Sequence, residues 1–172
     1  LTPWAIHLAG RAAETVGAED DSAQIFRSQV LEHATHRLAD DAAYYLVRDA
    51  IEDRKSLAQA EDLITKFVTQ FPRGDMMSDG IFFVVAHAFE KKQYRRALRV
   101  LNLTNQLETQ SYSDGQMGRM TYWQARIVAN LGKESEARKL YRSTMTQYPL
   151  SWYGFLSYSR LKEWNAAQAK KW

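Results

Sequence analysis

Hydrophobic positions recur along the chain at steps of three and four residues. Leu57, Ala60, Ile64, Phe67, Val68 and Phe71 share one face of a helix, as do Ala137, Leu140, Tyr141, Thr144, Met145 and Tyr148. Those two stripes are expected to be core. Thr2 followed by Pro3 predicts a helix start, with the hydroxyl capping free N–H groups and Pro at a position where its missing donor costs nothing. That helix is expected to run to about Val16 and stop near Gly17. A second is predicted from Asp21 or Ser22 to about Leu38, and Asp40-Asp41 opens a third. The run Ile81 to Ala86, extended by His87, Ala88 and Phe89, has no diagnostic period; its place in the pattern predicts a helix buried on most sides. Ser111 to Gly115 is the clearest loop.

Small residues near the start of every second helix reveal a longer period. Ala23, Ala60, Ala97 and Ala137 lie 37, 37 and 40 residues apart, each followed at three or four residues by a large apolar side chain. In a helical hairpin that spacing puts the small residue where two helices approach closely. Polar turns, Arg54-Lys55-Ser56, Lys91-Lys92-Gln93 and Gly132-Lys133, precede three of them. Phe71-Pro72 and Tyr148-Pro149 end two of the second helices, because Pro forbids continuation. The expected architecture is all-α: tetratricopeptide-like helical-hairpin repeats forming a curved superhelical solenoid. Four hairpins and part of a fifth span residues 1–165, with residues 166–172 as a tail leading towards a further domain.

Composition narrows the functional classes. Three Pro and eight Gly in 172 residues are too few for a turn-rich all-β protein. The absence of Cys excludes disulfide scaffolds, thiolate metal sites and Cys nucleophiles. No apolar stretch approaches the roughly 20 residues needed to span a bilayer. The chain begins at Leu1 without an initiator Met, which points to a processed protein or an excised fragment. Charge is unevenly spread: residues 1–90 carry 8 Lys and Arg against 15 Asp and Glu, and residues 91–172 carry 15 against 5. Such a split suggests an anionic partner or an electrostatic contact within the molecule.

Recognisable enzyme motifs are missing: no phosphate-cradling glycine loop, no His-Glu-x-x-His and no Gly-x-Ser-x-Gly. His33 and His36, three apart beside Glu32, have a spacing that could present two imidazoles to one metal, but no third ligand is evident. His87 is expected to be a satisfied core histidine, and Asp20-Asp21 and Asp40-Asp41 to be helix starts. Lys91, Lys92, Arg95, Arg96 and Arg99 form the densest basic cluster, interleaved with Tyr94 and followed by Arg119, Arg126, Arg138, Lys139 and Arg142. A solvated helix face accounts for Lys91, Lys92 and Arg95. For Arg99, Arg126 and Arg138, pairing with carboxylates of neighbouring repeats competes with ligand binding. The same residues would suit any polyanion, nucleic acid being the weaker candidate.

From residue 118 onward the text is more specific. It reads Arg119-Met120-Thr121-Tyr122-Trp123-Gln124-Ala125-Arg126, then Leu131-Gly132-Lys133, then Glu136-Ala137-Arg138-Lys139-Leu140-Tyr141. It ends with Tyr148-Pro149-Leu150-Ser151-Trp152-Tyr153-Gly154-Phe155-Leu156 and Arg160-Leu161. Over about 45 residues this resembles the last superhelical repeats of the soluble lytic murein transglycosylases. Trp152 stands where that family usually has another aromatic, often Tyr, and residues 1–117 agree only as paired helices.

The resemblance implies a periplasmic enzyme in which helical hairpins precede a lysozyme-like catalytic domain. Such enzymes cleave the MurNAc–GlcNAc β-1,4 bond of peptidoglycan without water, leave a 1,6-anhydro end and use no cofactor. It further implies that Tyr122, Trp123, Gly132, Ala137, Tyr141, Pro149, Tyr153 and Gly154 shape the repeats. The family's catalytic Glu lies in a Glu-Ser pair with Gly-Leu-Met-Gln downstream; here Glu134-Ser135 opens a helix and no such segment follows. The expected role is therefore a non-catalytic scaffold that binds or positions murein glycan strands for a catalytic domain beyond Trp172. Arg95, Arg96, Arg99, Arg119, Arg126, Arg138 and Arg160 are its candidate binding residues. A stand-alone tetratricopeptide-like adaptor for a protein or peptide is the alternative from a different class.

Overall fold

A computed structural model describes residues 1–107 and 117–164, and every regular element among them is helical. The order is α1 (Pro3–Thr15), α2 (Glu19–Glu32), α3 (Ala39–Glu52), α4 (Leu57–Gln70), α5 (Met77–Glu90), α6 (Tyr94–Leu101), α7 (Arg119–Asn130), α8 (Glu134–Gln147) and α9 (Trp152–Trp164). A 3-10 turn, Asn102–Gln106, continues α6. The loop expected at Ser111 to Gly115 and the tail at 166–172 lie outside the described residues. Each helix packs on the next in sequence, and α3 also meets α5 as α7 meets α9. No helix among the described residues is long and apolar enough to cross a membrane.

Two kinds of chain reversal recur. Between α1 and α2, α3 and α4, α5 and α6, and α7 and α8, one residue adopts the left-handed conformation: Gly17 (φ 77°), Lys55 (54°), Lys92 (56°) and Gly132 (81°). The next helix begins two residues later each time. In three of these turns the following N–H donates to the carbonyl five residues back (Ala18 to Ala13, Gln93 to Ala88, Lys133 to Val128). That bond satisfies a carbonyl the helix end would otherwise leave without a donor.

The second reversal follows α2, α4 and α8. His33, Phe71 and Tyr148 each donate a last helical bond, to Gln29, Phe67 and Thr144. Three residues on, the N–H groups of His36, Gly74 and Ser151 return to the carbonyls of those same residues. The expected continuation of α2 to Leu38 is thus replaced by a turn after Glu32. No Pro marks this end as Pro72 and Pro149 mark the others, yet the chain reverses in the same way and buries Leu38 and Ala39.

Close packing depends on small residues on both partners. Ala23, Ala60, Ala97 and Ala137 are all fully buried. A Cβ placed at Gly10 in α1 would sit 2.7 Å from the Phe26 ring of α2, and one at Gly80 in α5 would sit 2.9 Å from the Ile64 Cδ1 of α4. Bulky side chains of the even-numbered helices therefore fill spaces that glycine leaves in the odd-numbered ones. At Gly154 a Cβ would come within 2.1 Å of the Tyr148 carbonyl oxygen, so α9 rests directly on the end of α8.

The buried residues form two clusters. The larger runs from Ala23 of α2 to Leu101 of α6 and reaches Ile127; the smaller joins Tyr122, Ala125 and Val128 to Ala137, Tyr141 and Leu161. Ile127 and Val128 are neighbours in α7 yet belong to different clusters, and Leu98 packs against both. Helix α7 is therefore the wall the two clusters share.

Lys92→Gly is expected to stabilise the fold by about 0.5–1 kcal/mol, because it relieves a left-handed residue that carries a Cβ. Gly132→Ala is expected to destabilise by about 1 kcal/mol from backbone strain alone, since nothing lies within 4 Å of the added Cβ. Urea unfolding of the two variants measures both signs.

Candidate functional site

Adjacent aromatics occupy matching places in three odd-numbered helices: Tyr44-Tyr45 in α3, Phe82-Phe83 in α5 and Tyr122-Trp123 in α7. All but Tyr122 are half-buried. Tyr44 meets Phe83 edge-on at 6.3 Å between centroids, and Phe82 meets Trp123 in the same way at 5.4 Å. Trp123 also contacts Phe89 at 5.2 Å. The series continues through Tyr122 to Tyr153 of α9 and Tyr141 of α8, then to Trp164. Edge-to-face contacts suit the ring quadrupoles, whose positive edges meet negative faces.

Guanidinium groups lie over these rings. Arg11 and Arg48 stand 4.7 and 5.7 Å from the centre of the Tyr45 ring, Arg119 stands 4.6 Å from that of Phe82, and Arg126 stands 4.7 and 5.0 Å from those of Phe89 and Trp123. Arg11 also donates to the Tyr45 hydroxyl. Arg11 and Arg48 share Glu14, and Arg48 reaches Glu52 at 2.8 Å. The outcome is a half-exposed face of rings and partly neutralised arginines running across α1, α3, α5 and α7.

The seven candidate arginines divide among different roles. Arg95 is exposed and makes no ion pair among the described residues. Arg96 and Arg99 of α6 both hold Glu61 of α4, at 2.7 and 3.0 Å. Arg119 is only 6% exposed; it donates to Asp79 Oδ1 at 2.7 Å and to the Ser78 hydroxyl, tying α7 to α5. Arg126 joins the aromatic face. Arg138 reaches Glu134 at 3.2 Å and lies over Trp164. Arg160 hydrogen-bonds Tyr122 and Glu163, which raises its pKa.

The fold thus gathers Arg119 and Arg126 near one face and disperses the remaining five. The residues of the 118–161 stretch do converge: Tyr122, Trp123, Tyr141 and Tyr153 touch one another, and burial pushes the Tyr141 hydroxyl up to about 12. Gly154 supplies the close approach beside them, while Ala137 is buried and Gly132 and Pro149 shape exposed turns. Sequence reasoning left out Tyr44, Tyr45, Phe82 and Phe83. The paired aromatics at 44, 82 and 122, spaced 38 and 40 residues apart, carry the same period as the alanines and would have revealed them.

The histidines serve the fold. His33 and His36 lie in the turn after α2, so they lack helical spacing; His36 Nδ1 accepts from Leu38 N–H and its ring meets Trp4. His87 Nδ1 lies 2.9 Å from the Phe83 carbonyl. Glu134 is an exposed first residue of α8.

Asp40 departs from its expected role. It sits in the first turn of α3, but its Oδ2 accepts from the N–H of Met76, the residue before α5. It is 6% exposed, rests against Gly74 and gathers with Asp41 and Asp75 so that one oxygen of each lies within 4.8 Å of the others. These are the carboxylates that could hold a cation. Burial first, and then the neighbouring acids, push the Asp40 carboxyl up to about 6 against the pull of the Met76 bond. In its protonated form Asp40 can donate to the Asp75 carboxylate, which adds to the rise.

A comparison of the chain with protein-family models, curated proteins and solved structures finds no match.

Because Asp40 binds its proton more tightly in the folded chain than in the unfolded one, its stabilising contribution is complete below about pH 4 and is lost as pH rises through 6. Asp40→Asn keeps an acceptor for Met76 and a donor for Asp75. It is expected to raise stability at pH 7.5 by about 1–3 kcal/mol and to flatten the change between pH 5 and 7.5, as urea unfolding at both values would register. Arg119→Ala removes the buried guanidinium that ties α7 to Ser78 and Asp79 of α5 and is expected to cost about 1–3 kcal/mol, whereas Arg95→Ala should leave the unfolding midpoint unchanged.

Proposed function

We propose that this chain is the non-catalytic helical scaffold of a periplasmic soluble lytic murein transglycosylase. It would hold or orient murein glycan strands for a lysozyme-like domain of the same protein. In this reading the helices are tetratricopeptide-like hairpins stacked into a curved solenoid. The matching left-handed turns, the shared reversal after α2, α4 and α8, and the packing of each helix on its sequence neighbours support that arrangement.

One observation carries the functional part: the face of half-exposed rings with arginines laid across them. Sugar rings present apolar C–H faces that stack on aromatic side chains, and the peptide carboxylates of murein suit guanidinium forks. Repeating the pair of rings from helix to helix offers several subsites to a long polymer without needing tight binding at any of them. Chemistry is assigned to the other domain, since Glu134-Ser135 opens a surface helix and pairs with Arg138.

Sedimentation with purified peptidoglycan sacculi across a salt series tests the proposal, together with an assay for anhydro-ended products. Binding at low salt without product formation is expected. Arg126→Ala should weaken binding mainly at low salt, and Tyr44→Ser at every salt concentration, with circular dichroism verifying that both variants fold. Retention of the chain in the supernatant at low salt would overturn glycan binding and leave the adaptor. Product formation would overturn the non-catalytic assignment.

A further inference from the structure

The acidic half of the molecule pairs nearly all of its cations. Arg11, Arg48 and Arg54 hold carboxylates, Lys55 donates to the Glu52 carbonyl, Arg37 lies over Trp4, and Arg73 is engaged. Arg27 of α2 and Lys66 of α4 have none of these contacts among the described residues. Both line one groove.

That groove has a volume of about 180 Å³ and is formed where α2, α3 and α4 meet. Its apolar lining comes from Val30, Leu31, Leu46, Leu63 and Phe67. Leu31 is 74% exposed and stands at the open side of the groove. The space admits one large apolar side chain. Asp49, which also lines the groove, gives Oδ2 to Arg54 and leaves a buried Oδ1 without any donor.

We infer that this groove docks a short acidic segment of a partner protein, which inserts one leucine- or phenylalanine-sized side chain between α2 and α4 and sets carboxylates against Arg27 and Lys66. Two cations on the walls of an apolar slot, neither with a carboxylate partner among the described residues, select a partner that is apolar at its centre and acidic on both sides. The Gln59 carboxamide distinguishes a peptide from a fatty acid. A peptide backbone can exchange hydrogen bonds with that carboxamide, and an acyl chain has nothing to offer it. The groove lies between α2 and α4, with Leu46 and Asp49 contributed by α3, and uses none of the rings of the proposed glycan face, so the inference stands apart from that proposal.

Fluorescence anisotropy on the whole chain tests it. The probes are a labelled dodecapeptide with a central Leu-Phe pair flanked by glutamates, and the same peptide flanked by lysines. The glutamate peptide is expected to bind saturably and at least about 10-fold more tightly than the lysine one. Arg27→Glu and Lys66→Glu, both at exposed positions, should each weaken it by about 5- to 10-fold. The double reversal should switch the preference to the lysine peptide, a result that unfolding could not produce. No saturable binding, or binding indifferent to both reversals, would overturn the inference. So would laurate binding in the groove while the peptide does not. Sedimentation of these variants with sacculi should be unchanged, which separates failure here from failure of the glycan proposal.

Discussion

Helices can bury apolar stripes against one another only where the side chains between them let the backbones come near, and that requirement organises this molecule. Gly10 admits Phe26, Gly80 admits Ile64, and Gly154 lets α9 settle on the end of α8. The buried alanines at 23, 60, 97 and 137 sit near the starts of the even-numbered helices, where each has just emerged from its turn. Once the pairs are close, turn geometry follows: a connection this short must place one residue in the left-handed region. Lys55 and Lys92 accept that conformation although each bears a Cβ. The packing gained across each hairpin therefore exceeds a local backbone cost of about 1–2 kcal/mol.

Charge is secondary to this packing but decides how the helices register. Glu61 receives Arg96 and Arg99 across α4 and α6, Arg54 links Asp20 of α2 to Asp49 of α3, and Arg119 ties α7 to α5 through Asp79. The first two groups are partly exposed and contribute modestly. The third is buried, so its value lies in specificity: any sliding of α7 along α5 would strand a charge. The contrast between an acidic first half and a basic second half is partly consumed in such contacts, Glu61 with Arg96 and Arg99 and Asp79 with Arg119 being the clearest cases.

Much of this was legible in the residues. The alanine period located the second helix of each pair, with polar turns before three of them, and Thr2-Pro3 and Gly17 bounded the first helix, where Thr2 accepts from Ala5 N–H. The end of α2 was not legible, because its reversal is made by backbone bonds and by burial of Leu38, with no Pro to announce it. Asp40 does open α3, but its carboxylate also caps the approach to α5, 36 residues away, a partnership that only the packing of α3 on α5 creates. The candidate arginines were identified by residue type, but local sequence does not reveal whether a guanidinium meets solvent, a ring or a carboxylate. Arg95 and Arg96 are neighbours, and one is free while the other holds Glu61.

The two faces differ in what folding leaves unsatisfied, and that difference is the better guide to their use. On the odd-numbered helices most of the arginines over the rings also have carboxylate partners, while the rings stay half-exposed; what remains there is apolar surface of fixed geometry. Such a face gains most from flat apolar contours such as those of a sugar ring, with Arg126 over Phe89 and Trp123 left to meet a carboxylate. On the even-numbered helices the apolar slot is small and its walls carry uncompensated charge, so a partner is selected by charge pattern and anchored by one side chain. Hairpin packing permits this division. Aromatic pairs stand on the first helices of the pairs, and Arg27 and Lys66, cations without a carboxylate partner among the described residues, stand on the second.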